Sequence, residues 1–167
     1  MHLDPRDVSE YLRMSHETRG PVPCPPPIIY LAALLVGLAL DRLWPSPHLP
    51  APLASAFGTL LVIASAAIVL PAFLRFRRAG TSFDVRKPAT ALVTSGPYRF
   101  SRNPGYVSLT LLYLGVGLLL NNIWVLLLVM PTLLVMDQWV VRREERHLEE
   151  RFGEDYERYK RSVRRWL

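Results

Sequence analysis

Four runs of apolar residues, at 28–40, 53–74, 106–120 and 123–136, stand apart from the charged residues, which fill the N-terminus, 75–102 and 142–165. Half of the 167 residues are hydrophobic and a fifth are charged, a mixture that a soluble fold would interleave along each element. A bilayer demands segregation instead, because a polar group left unpaired in hydrocarbon costs several kcal/mol. A soluble hydrophobic bundle is the alternative, and four runs without a polar face argue against it. The chain therefore reads as all-α: a polytopic membrane protein with about four transmembrane helices and a C-terminal amphipathic helical segment.

Along the chain, residues 1–27 form a polar, Pro-rich N-terminal segment with an amphipathic hint at Val8, Tyr11 and Leu12, and PVPCPPP at 21–27 is too rich in proline for a helix interior. Residues 28–76 supply two transmembrane helices, the first closed by Asp41 and Arg42 and followed by a tight loop, PSPHLPAP. The second carries the small residues Ala54, Ser55, Gly58, Ala64, Ser65 and Ala67, which let helix backbones approach closely in lipid, and Pro71 near its end, where a kink is expected. Residues 77–104 read as a loop, 105–141 as a transmembrane hairpin turned at Asn121 and Asn122, and 142–167 as a helical tail. Each hairpin arm is near the roughly 20 residues that a bilayer core requires.

Four spans place the N-terminus, the 77–104 loop and the C-terminus on one side, and that side holds nineteen of the twenty basic residues, Arg42 being the exception. By the positive-inside rule both termini and the loop are cytoplasmic. The net charge of +6 then faces anionic lipid, and no nucleic-acid partner is expected. Cys24 is alone, and His2, His16, His48 and His147 are scattered, so no metal site is expected. The first twenty residues carry acids and no apolar core, unlike a cleavable signal peptide, so the first span is expected to direct insertion.

Two segments can carry chemistry. In AGTSFDVRKPATALVTSGPYRFSRNPGY, residues 79–106, six glycines and prolines prevent a continuous helix, and TALVTSG reads as a short extended stretch with open backbone donors and acceptors. Such groups can read an adenine edge, with Arg99, Arg102 and Asn103 beside them for a carboxylate or phosphate; an ordinary basic loop on lipid headgroups is the plainer reading. In the tail, Leu148, Phe152, Tyr156, Tyr159, Val163 and Trp166 make one apolar stripe, interrupted at Gly153, on a segment lying on the membrane or docking over the bundle. Glu154 with Arg158 and Glu157 with Arg161 are favourable pairs on its other face. Glu144 and Glu145 follow the last apolar run. Adjacent helical residues diverge by about 100°, so at most one is expected to face inward, for a ribose diol or an amino group, while the other is solvated. Pairing with Arg142, Arg143 or Arg146 is the competing reading. The Gly115-Val116-Gly117 motif lies within a span and lacks the third glycine of a dinucleotide loop, and no nucleophile elbow or zinc-protease motif is present.

LVTSGPYRFSRNPGY, the hydrophobic hairpin after it, and RREERHLEERFGEDYERYKRSVRRW, taken in that order, resemble the isoprenylcysteine carboxyl methyltransferase family and its bacterial phospholipid-methyltransferase-like relatives over residues 79–166. The resemblance implies a multi-span enzyme that binds S-adenosyl-L-methionine at the cytoplasmic ends of its last spans, methylates a lipophilic or lipid-like acceptor entering from the membrane, and resides here in a bacterial inner membrane. Position by position it implies that Thr90, Ala91, Leu92 and Val93 contact the cofactor, with Tyr98 of the G-x-Y turn, the Asn103, Pro104, Gly105, Tyr106 segment, and Glu144; Arg102 and Glu145 join these candidates on their own side-chain chemistry. Asn103 stands where the eukaryotic enzymes have histidine, so a cationic imidazole is lost while a hydrogen bond to the cofactor carboxylate remains available. Val140 stands where they carry a substrate-associated arginine, so a prenylcysteine carboxylate is not the assumed acceptor.

A sulfonium methyl is already activated, and the enzyme mainly has to hold an acceptor lone pair in line behind it, with Tyr98 or Tyr106 able to face the cation. A thiolate or carboxylate needs no base; an ammonium must first lose a proton, to Glu145 or water. Two other readings stay open. Membrane sterol reductases resemble the same C-terminal half and use NADPH, whose extra phosphate Arg75, Arg77, Arg78, Arg86 and Lys87 could meet. A non-catalytic module could bind lipid headgroups through the basic loops.

Overall fold

The computed structural model describes residues 24–80 and 89–167. Helix α1 spans Pro26–Leu43, α2 Ala51–Arg78, α3 Pro104–Leu119, α4 Ile123–Phe152 and α5 Glu154–Ser162, with a 3-10 turn at Gly96–Arg99. Among the described residues there is no strand. The amphipathic hint at Val8, Tyr11 and Leu12 lies outside them. Prolines begin α1, α2 and α3, in first-turn positions that need no N–H donor, so α1 starts two residues earlier than the proline-rich sequence suggests.

Three helices, α1, α2 and α4, are long and apolar enough to cross a membrane. Helix α3 is apolar but has only 16 residues, about 24 Å against a hydrocarbon core of about 30 Å. It is shortened at both ends, by the Asn103-Pro104 start and by Asn121, whose φ of 52° reverses the chain. The hairpin turn is completed by Asn122, whose side chain caps the next helix by accepting from Val125 N at 3.0 Å. Asn121 also exchanges two 2.9 Å hydrogen bonds with Leu49, and Trp124 Nε1 donates to Trp44 O at 2.8 Å. Both short turns therefore meet at one end of an up-down-up-down bundle. At the other end stand the described part of the 77–104 loop, the end of α4, α5 and the tail.

The small residues set how closely the helices approach. A Cβ on Gly115 would lie 2.9 Å from Gly58 O and 3.1 Å from Val62 N, so α2 and α3 cross backbone on backbone. Gly37 is held as tightly against the backbone of Val125. Beyond the Gly58–Gly115 crossing, Ser65 and Ser108 join at 3.1 Å, and past them the two helices line a cavity. We predict that Gly115→Val lowers stability in detergent by about 1–3 kcal/mol through overpacking. Leu60→Val, on a lipid-facing residue that is 58% exposed, should leave the unfolding midpoint unchanged. Equal midpoints for both variants would refute the close crossing.

Helix α4 contains a π turn, Met136–Val141, just before its charged half, and such insertions often lie near functional sites. Met136, Val140 and Val141 are buried there with Tyr30, Tyr106 and Tyr113. The helix then runs without a break from its apolar into its charged half and ends at Gly153 (φ 50°). Past that glycine the stripe docks over the bundle rather than onto lipid: Tyr156 and Tyr159 are buried with Ala72, Val93 and Tyr98, and Leu148, Phe152 and Val163 pack against them. The predicted i,i+4 pairs give way to Arg158–Asp155 and Lys160–Glu157, and Lys160 also pairs with Glu149 of α4, tying α5 back to it. Those carboxylates hold the Lys160 ammonium above its ordinary pKa.

Candidate active site

A cavity of about 520 Å³ opens at the end of the bundle where the charged segments meet. That size lies within the roughly 300–1,000 Å³ of small-molecule and cofactor sites. Ten of the twelve residues singled out by sequence line it: Ala91, Leu92, Val93, Tyr98, Arg102, Asn103, Gly105, Tyr106, Glu144 and Glu145. Thr90 does not; its hydroxyl donates to Gly80 O at 3.2 Å, folding the loop on itself. Pro104 opens α3 and also stands off the wall, and Arg99 is exposed away from it.

Local chemistry explains these placements. The proline of Gly96-Pro97 and the positive φ of Gly96 (67°) turn the chain into the 3-10 element that carries Tyr98 inward, against the ring of Phe76 at 5.3 Å. Tyr159 OH donates to Tyr98 O at 2.7 Å, which clamps α5 over the turn. Burial pushes the hydroxyls of Tyr98, Tyr156 and Tyr159 well above their ordinary pKa; the charge of Glu144 adds to this at Tyr98 and that of Glu145 at Tyr156. All three stay neutral at any working pH.

Both glutamates are engaged inside the protein, which corrects the expectation that one would be solvated. Glu144 accepts from Tyr106 OH at 2.6 Å, facing α3. Glu145 is 6% exposed and takes a fork from Arg165, Nη2 to Oε2 at 2.7 Å and Nε to Oε1 at 3.2 Å, while Arg102 Nη2 reaches Oε1 at 3.2 Å. The two glutamates do diverge, as helical neighbours must, but the tail folds back over the second direction and covers it. Neither takes the neighbouring arginines offered by sequence: Arg142 pairs with Asp137 at 3.4 Å, and Arg143 lies over the Trp139 ring at 5.6 Å.

The tail is sewn down by its backbone. Arg102 N donates to Arg164 O at 2.9 Å, and Ser101 Oγ and Asn103 Nδ2 both donate to Arg165 O, at 3.3 and 3.0 Å. Asn103 thus commits one of its two amide N–H groups to the tail, which fixes the orientation of the other. Arg165 also reaches Asp137 at 3.3 Å, and its bonds to Glu145 hold its pKa above the ordinary value. Two kinds of buried polar atom have no hydrogen-bond partner among the described residues: Arg102 Nε and Nη1, and His147 Nε2.

Sequence reasoning missed Phe76, His147, Leu148, Tyr156 and Tyr159 on the cavity wall, and Arg165 behind it. The stripe positions of Leu148, Tyr156 and Tyr159 were the available signal, read only as docking contacts. Val69, Leu109 and Leu112, which also line the cavity, carry no signal beyond membrane hydropathy. Val140 is buried in the core and does not line the cavity. Among the described residues no group of three His, Cys, Asp or Glu stands together as a metal site.

The model of the phospholipid methyltransferase family matches residues 53–155, more than half of the chain. The chain belongs to that family. In this phospholipid methyltransferase family member the match runs from α2 through the loop and hairpin to the start of α5, so it reaches further back than the resemblance over 79–166 and stops short of Tyr156, Tyr159 and Arg165. A stretch of 62 residues is also 47% identical to an uncharacterized protein of Haemophilus influenzae, covering 37% of this chain and 98% of that relative. Family membership makes the protein a membrane methyltransferase.

Proposed function

We infer that the protein transfers a methyl group from S-adenosyl-L-methionine to a lipophilic or membrane-associated acceptor. The observation that carries this reading is one cavity with two chemistries. Its lining combines Arg102, Glu144, Glu145 and His147 with the apolar Val69 of α2 and Leu109 and Leu112 of α3. The donor set suits the cofactor. Arg102 has two buried N–H groups without a partner among the described residues, Nε and Nη1, suited to a carboxylate; Glu144 can accept from a ribose diol or an amino group; Ala91, Leu92 and Val93 line the same cavity and carry backbone groups suited to an adenine edge. When bound, the sulfonium supplies a methyl group that needs no further activation. The chain's own residues hold the reactants together, exclude water, and face the cation with the tyrosine rings.

The cytoplasmic orientation of the cavity rests on the positive-inside rule, and the bacterial inner membrane is consistent with the relative from Haemophilus influenzae. The reductase reading is weaker: Arg75, Arg77 and Arg78 do not line the cavity, and the side chain of Arg75 packs against Gly96. Arg86 and Lys87 of that cluster lie outside the described residues.

Calorimetry on detergent-purified protein tests the reading. S-adenosylhomocysteine should bind with a Kd at or below about 100 μM, and NADPH should give no saturable heat. The reverse pattern would sink the proposal in favour of the reductase, and silence from both would favour a non-catalytic lipid-binding module. Labelled cofactor incubated with native membrane extract then identifies the acceptor by whether label enters lipid, protein or a volatile product.

A further inference from the structure

We propose that His147 is the proton acceptor for the methyl acceptor, so that the substrate group is one that carries a proton at neutral pH, an ammonium, hydroxyl or thiol, and not a carboxylate. The inference rests on the methyl-transfer reading above. His147 lies one turn beyond Glu144 on the same face of α4 and lines the cavity. Its Nε2 is enclosed and without a hydrogen-bond partner among the described residues. Buried polar atoms are rarely left so, and on a residue that lines a cavity such an atom is suited to a ligand, a water or a catalytic step.

The other candidates for this task are committed. The oxygens of Glu145 are occupied by Arg165 and Arg102. Glu144 accepts the Tyr106 proton and is assigned to the cofactor. The unpartnered nitrogens of Arg102 can only donate. Tyr98, Tyr156 and Tyr159 stay neutral and are poor bases. An imidazole takes a proton at neutral pH, where a base of this kind works best.

In the step, the acceptor's X–H bond breaks, its electron pair stays on X, and the proton passes to the Nε2 lone pair. That pair on X forms the new bond to the methyl carbon as the carbon–sulfur bond opens and its pair goes to sulfur. The imidazolium then releases its proton to solvent. The charged groups about the ring are Glu144, Glu150 and Arg151 on its own helix. From the facing walls come Arg102 and the tyrosines Tyr98, Tyr106, Tyr156 and Tyr159.

The test uses His147→Asn in the full chain, with total bacterial membrane lipid as acceptor. Methyl transfer at pH 7 should fall about 100-fold, the size of a general-base contribution, while S-adenosylhomocysteine affinity stays within about twofold. The wild-type rate should drop as pH falls through the imidazole titration, and the variant should lose that limb. Independently of turnover, the nitrogen NMR signals of His147, assigned by the variant in histidine-labelled protein, should move when dodecylamine is added. A variant with the wild-type rate and pH profile, or signals that dodecylamine leaves in place, overturns the assignment alone. Failure of the wild type to bind S-adenosylhomocysteine overturns the reading beneath it as well.

Discussion

Glu144→Ala should lower the affinity for S-adenosylhomocysteine by about 10- to 100-fold while the protein still expresses and inserts. The size follows from the roughly 1.5–3 kcal/mol of a hydrogen bond to a charged partner, converted at about 1.4 kcal/mol per factor of ten. The position makes the effect mainly one on binding: Glu144 is half-buried on the cavity wall, and among the described residues its side chain accepts the 2.6 Å bond from Tyr106 OH. Glu144→Gln separates the two roles. It retains an acceptor for Tyr106 but not the charge, so stability should recover while affinity remains low. Titration calorimetry of both variants checks the pattern, and unchanged affinity in Glu144→Ala would remove the residue from the cofactor site.

Much of this organisation follows from sequence because the bilayer imposes simple rules. Long apolar runs with no polar face read as spans, and α1, α2 and α4 lie within a few residues of the ranges that hydropathy suggests until α4 runs on past residue 141. The break there had been placed where charge begins, but helical hydrogen bonding does not stop at a change of polarity; it stops at Gly153, where the backbone takes a positive φ. The length of α3 was harder to read, since its ends are set by a proline start and a left-handed asparagine inside a continuous apolar run.

The candidate site divides in the same way. Tyr98, Arg102, Asn103, Tyr106 and Glu144 were visible because they sit in ordered motifs. The burial of Glu145 was not, because its partners, Arg102 and Arg165, lie 43 and 20 positions away and only the folded tail brings them together. A helical-wheel argument sees one helix at a time, so it leaves open which of Glu144 and Glu145 turns inward and expects the other in solvent. His147 was hidden for a related reason: a lone histidine in a run of charges has no spacing to mark it, and only the absence of a partner distinguishes it. Val140 shows the limit of motif transfer. It stands where the eukaryotic enzymes of the resembled family carry a substrate-associated arginine, but here the side chain is 1% exposed in the core and does not line the cavity.

The largest effect on stability should come from Glu145→Ala. Its carboxylate neutralises Arg102, whose side chain is 9% exposed, and Arg165, whose side chain is 32% exposed. Removing the anion leaves the buried Arg102 cation without a counter-charge, typically at a cost of about 3–5 kcal/mol. At about 2–4 °C per kcal/mol for a chain of this size, the unfolding midpoint in detergent should fall by about 6–20 °C. Arg165→Ala should cost less, because Glu145 still meets Arg102 and the lost cation was partly hydrated. Arg165→Lys should fall between wild type and Arg165→Ala, since an ammonium cannot reproduce the two-point fork. This ordering is what distinguishes a buried charge cluster from a surface one: a surface pair would make all three substitutions nearly silent. Because Arg102 also lines the proposed cofactor site, Glu145→Ala should release the arginine proposed to anchor the ligand, and saturating S-adenosylhomocysteine should raise the variant's midpoint by less than it raises that of the wild type. Equal ligand-induced shifts in the two proteins would mean that Glu145 stabilises the fold without positioning Arg102.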